Sequence, residues 1–200
     1  MGGVGRSIPI GAGRRRTAFA LLVYGMLVFL VFTFGTAFEL VVTRGVCFVY
    51  VIAYFLALAV VLAIRRVGRF GTGLAVFLPY AVLGFFAEYM MEVVIEPNLI
   101  APWAAVVWSL SGPVAGLSAD GAQRFLPRTI REELRAALVG IVVVSAYFVL
   151  VLFSLAFLYE DPGPGLTHYL NGIQLTLPWL LVSGAFGGYT AYAMTGSMGA

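Results

Sequence analysis

Apolar segments of about 20 residues recur six times along this chain, and about 20 apolar residues are what a helix needs to cross the ~30 Å hydrocarbon core of a bilayer. Lipid offers a backbone no hydrogen-bond partner, so segments of this kind close their own hydrogen bonds as helices. The pattern predicts an all-α polytopic membrane protein with six transmembrane helices, over about 17–38, 46–64, 72–96, 101–118, 136–158 and 175–194.

The remaining length is too short for a separate soluble domain. Residues 1–16 read as a cytoplasmic basic N-terminal segment and residues 17–200 as a single six-helix transmembrane domain. Of the 200 residues 62% are hydrophobic and 10% charged, where soluble domains carry about 25% charged residues. The run that follows Arg14, Arg15 and Arg16 is too long for a signal-peptide core of about 7–15 residues. It reads as the first span. Cys47 is the only cysteine, so neither an intrachain disulfide nor a thiolate metal cluster is expected. All basic residues are arginine, which excludes a retinal Schiff base, because that linkage needs a lysine.

In a six-span arrangement eleven of the twelve arginines fall on one side and only Arg44 on the other. Arginine-rich connections stay in the cytoplasm. The reading is therefore a multi-pass protein of the cell membrane with both termini cytoplasmic, and the 119–135 connection, the longest internal loop, on the same side. This orientation accounts for the net charge of +3 without any nucleic-acid partner.

The third span carries Glu88, Glu92 and Glu96. Steps of four drift by only about 40° on a helix, so the three carboxylates share one face. A charge at the bilayer centre costs roughly 2.5–3.5 kcal/mol on insertion scales, which favours a protein-lined or wet setting for them. In the expected topology Glu92 lies near the outer boundary, Glu88 one turn deeper and Glu96 outermost. This ladder suits a cation, a proton or a cationic organic molecule entering from outside. The competing reading is structural: the outer two acids snorkel to the interface and Glu88 is protonated or bonded to a neighbouring helix.

Tyr89 and Trp103 offer aromatic faces beside the acids. Stacking of a cation on such a face is worth roughly 0.5–2 kcal/mol. His168, in an expected outer loop with Tyr169 and Asn171, is a further candidate ligand. Gly112 and Gly116, and Gly184 and Gly188, have the small-xxx-small spacing that lets helices approach closely, more often within a chain than toward a partner. Pro79, Pro113 and Pro178 read as kinks. No phosphate-binding glycine loop, paired-histidine metal site, activated serine or cofactor motif is present. Catalytic residues, metals and cofactors are therefore not expected.

The alternation of small residues and acids in AEYMMEVV, residues 87–94, followed by WSLSGPVAGLSADG, residues 108–121, resembles the substrate-binding S subunits of energy-coupling-factor vitamin transporters, those for thiamine or its precursor in particular. The resemblance implies a six-helix module with an outward-facing site and membrane partner subunits that supply energy. In the first span, Ala18, Ala20 and Gly25 depart from the AxxxA docking pattern of that family. The leading expectation is a transport protein, not an enzyme, that binds a small cationic solute or ion through Glu88, Glu92, Glu96, Tyr89, Trp103 and His168. It would work with partner subunits or as a homo-oligomer. The alternative is a non-catalytic structural subunit of a larger membrane complex.

Overall fold

The computed structural model describes the backbone of residues 10–38, 48–90, 102–158 and 164–196. Side chains are described for 17–34 except Phe32, for 50–86, for 106–151 except Trp108, and for 176–196. The described residues form six helices and no strand: α1 (Ile10–Phe38), α2 (Phe48–Val67), α3 (Thr72–Met90), α4 (Pro102–Phe125), α5 (Glu132–Leu158) and α6 (Pro164–Gly196). Two of them, α2 over Tyr50–Val67 and α5 over Glu132–Val151, are long and apolar enough to cross a membrane. Shorter apolar helical stretches cover Thr17–Val31 and Thr72–Phe86.

Helix α2 is the centre of the bundle and touches each of the other five helices. Before Arg65 it is apolar on every side, so that stretch has no polar face to present to water. Ala53, Ala57, Val60 and Ala63 are completely buried. Small residues also set the approach of the outer pairs. A methyl group at Gly116 would overlap the Gly73 carbonyl, and one at Gly112 would strike Phe77, so α3 and α4 run antiparallel with backbones almost in contact. Gly140 and Ala136 of α5 meet Gly184 and Gly188 of α6 in the same way. Both glycine pairs thus serve packing within the chain.

Several boundaries differ from the sequence expectation. The 119–135 stretch is not a long loop: α4 continues to Phe125 and α5 begins at Glu132, leaving a connection of only 126–131. Nothing in ADGAQRF obliges a helix to stop before Leu126, the residue in front of Pro127. Glu132 and Glu133 in the first turn of α5 complement the positive end of its dipole. Helix α1 starts at Ile10 rather than residue 17. Helix α6 begins eleven residues before residue 175, at Pro164, and proline at the first helical position is pre-set for the helical φ. His168, Tyr169 and Asn171 therefore stand on a helix and not in a loop.

Candidate functional site

The described charged side chains collect at one end of the bundle. The α2–α3 connection there is tight. Gly68 and Gly71 take φ of 66° and 88°, the left-handed region that glycine enters without a Cβ clash. The Gly68 N–H donates to the Ile64 carbonyl at 2.8 Å and closes α2, while the Thr72 hydroxyl donates to the Arg69 carbonyl at 2.6 Å.

Gly71 accepts the first helical bond of α3, from the Ala75 N–H at 3.0 Å, and so occupies the cap position without a side chain to offer the next N–H groups. Asp120 supplies that oxygen from another helix. Its carboxylate accepts from the Gly73 N–H at 3.1 Å and the Leu74 N–H at 3.3 Å. Asp120 is only 3% exposed. Burial pushes its carboxyl pKa above the ordinary value, against the opposing pull of the Gly73, Leu74 and Gly71 N–H groups.

Three further elements are tied in by arginine. Arg65 donates to Glu132 Oε2 at 2.9 Å and to Thr195 Oγ1 at 3.0 Å, and lies over the Tyr192 ring at 5.0 Å. Arg66 donates to the Tyr24 hydroxyl at 2.8 Å. Arg135 donates to the Gln123 carbonyl and pairs with Glu132 Oε1 at 3.4 Å, while its buried Nε has no hydrogen-bond partner. Between these ties opens a cleft of about 450 Å³, walled by Arg65, Arg69, Asp120, Arg124, Arg128, Glu132 and Arg135 together with Phe70 and Gln123.

Of the residues singled out from the sequence, the backbone of four lies at the opposite end. Glu88 and Tyr89 fall in the last turn of α3, Trp103 is the second residue of α4, and His168 lies in the second turn of α6. The side chains of these four, and the whole of Glu92 and Glu96, lie outside the described residues, as does Cys47. The described contacts of the antiparallel pair place Gly73 against Gly116 and Phe77 against Gly112; none of them reaches Glu88 or Trp103. His168 is not brought to them by any described contact.

Sequence reasoning missed Asp120 as a structural group, because it was assigned to a loop. No protein-family model, curated protein or solved structure matches the chain.

Proposed function

We propose that this chain is a multi-pass protein of the cell membrane, six helices crossing with both termini cytoplasmic, that binds a small cationic solute or ion from the outside. Its exterior supports the membrane setting: Phe19, Phe86, Trp179 and Phe186 are each at least 60% exposed, an apolar surface of the kind that lipid covers. The antiparallel pairs α3/α4 and α5/α6, and α2 running parallel with α6 along Tyr54–Thr190 and Arg65–Thr195, are consistent with an up-and-down path. Arg65, Arg66, Arg69, Arg124, Arg128, Arg131 and Arg135 share one end, which favours a cytoplasmic location for it.

One observation carries the solute site. The inward face of α3 is Gly73, Phe77, Tyr80 and Gly84, all buried. Position 88 follows Phe77 by eleven residues, a rotation that returns to within about 20° of it at 100° per residue. That register favours Glu88 as part of the bundle interior, with Glu92 and Glu96 leading outward from it. The action is capture without bond chemistry. Net uptake would then depend on partner subunits, as the resemblance to the S subunits of energy-coupling-factor transporters implies.

The test is purification of wild type, Glu88→Gln and Glu92→Gln in mild detergent, with mass spectrometry of co-purified small molecules and chains. A basic small molecule held by wild type and lost from both variants supports the proposal. Equal retention by all three refutes the acidic site, and a stoichiometric partner chain with no small molecule favours the structural-subunit alternative.

A further inference from the structure

We propose that the arginine-walled cleft between the α2–α3 turn and the α4–α5 connection is an anion site for a phosphate-bearing group. The wall sorts its charges. Glu132 is taken by Arg65 and Arg135, and Asp120 is taken by the first turn of α3. Both carboxylates are thereby occupied within the fold. Arg69 and Arg128 remain exposed and, among the described residues, have neither a hydrogen bond nor an ion pair for their guanidinium groups.

Arg124 lies over the Phe70 ring with 5.8 Å to its centre. Stacking uses the guanidinium face and leaves the in-plane N–H fork open for bidentate contact. Three uncommitted guanidinium groups around a concavity match a phosphate with several acceptor oxygens, for which arginine forks are the preferred geometry. The volume of about 450 Å³ is in the range of roughly 300–1,000 Å³ typical of small-molecule sites.

The site is distinct from the cation site proposed on α3. The phosphate has two possible sources, a free phosphate and the headgroup of an anionic lipid. The second rests on the membrane reading, because the cleft lies where the apolar stretch of α2 ends and that of α5 begins.

The test uses the full chain in neutral detergent. Binding is measured by thermal shift with inorganic phosphate, and by retention on phosphatidylcholine vesicles with and without phosphatidic acid. The variants are Arg69→Gln with Arg128→Gln, and Arg131→Gln as the control. Arg131 is exposed at the same end but outside the cleft wall, so it removes charge without removing the site. The double variant should weaken binding of at least one probe by about tenfold or more, the scale of a lost charge-assisted hydrogen bond, while the control changes it less than about twofold. Response to inorganic phosphate identifies a free-phosphate site, and response to phosphatidic acid alone identifies the lipid headgroup. Failure of both probes to bind wild type overturns the proposal. So does equal weakening by Arg131→Gln, which would mean diffuse surface charge. Either result leaves the α3 cation site standing, because Glu88 and Glu92 are untouched.

Discussion

Replacing Asp120 by alanine tests whether one helix caps another across the bundle. The substitution removes the acceptor of two backbone donors, the Gly73 N–H in a buried position and the Leu74 N–H in a partly buried one. Loss of a helix cap costs about 0.5–2 kcal/mol, and an orphaned buried donor about 1–3 kcal/mol. Part of this is returned, because the ionised carboxylate no longer suffers the burial that raises its pKa. The net expectation for Asp120→Ala is a loss of about 2 kcal/mol, or roughly 4–8 °C in Tm for a chain of this size. Asp120→Asn keeps one carbonyl acceptor and should lose less than about 1 kcal/mol. The pH dependence separates charge from shape. A carboxyl whose folded pKa lies above its unfolded value contributes stability that is present in acid and is lost as pH rises through the folded pKa. The stability of wild type relative to Asp120→Asn should therefore fall as pH rises from the ordinary aspartate range through that raised value. Melting of the three proteins in detergent across this pH range is the assay. If Asp120→Ala melts within about 1 °C of wild type, the capping argument is wrong; if wild type gains on Asp120→Asn as pH rises, the N–H bonds to the carboxylate outweigh its burial and the raised pKa is refuted.

Other positions give independent tests. Gly188→Leu should lower the melting temperature markedly while Gly196→Leu should not, because a Cβ at 188 meets the Ala136 carbonyl and one at 196 meets nothing within 4 Å; equal melting would mean that α5 and α6 are not packed backbone to backbone. Tyr80 and Tyr147 share a buried hydrogen bond of 3.1 Å, so a double-mutant cycle of their phenylalanine variants should show a coupling of about 0.5–1.5 kcal/mol, and additive losses would refute the contact. Glu132→Gln should cost under about 1 kcal/mol, with the loss shrinking as salt rises, because its carboxylate is half exposed to solvent; a salt-independent loss would show that the pair is held by more than charge. In a Cys47→Ser background, single cysteines at Gly121 and Gly163 should be labelled from outside only at Gly163, and the reverse pattern would overturn the orientation.

Helix type and number were legible because apolar length is a property of each segment alone. The continuation of α4 to Phe125 was not legible in this way. Ala119–Phe125 is polar enough to pass for a loop, and the Gly73 N–H that gives Asp120 its role lies 47 positions away. Similarly, the spacing of Gly184 and Gly188 showed a close helix contact, but that the contact falls on Ala136 and Gly140 depends on the course of the whole bundle. The early start of α6 went unseen because PGPG, residues 162–165, reads as a breaker, and a proline that breaks one helix is also well placed to begin the next. The acidic stripe of Glu88, Glu92 and Glu96 is an expectation from spacing alone, and the buried face of α3 is described only as far as Gly84.

The arginines show how one sequence signal covers two physical roles. Counting them gives orientation, and for that purpose Arg65, Arg69, Arg128 and Arg135 are equivalent. The fold makes them unequal. Arg65 spans α2, α5 and α6 through Glu132, Thr195 and the Tyr192 ring, and Arg135 ties α5 back to Gln123 at the end of α4. An ion pair with a half-exposed carboxylate contributes little by itself, so the value of Arg65 lies in its packed stem and its additional partners. Arg69 and Arg128 have no such obligation. Orientation alone would be served by arginines dispersed over the end of the bundle, whereas here the uncommitted ones face a common concavity whose acids are already occupied.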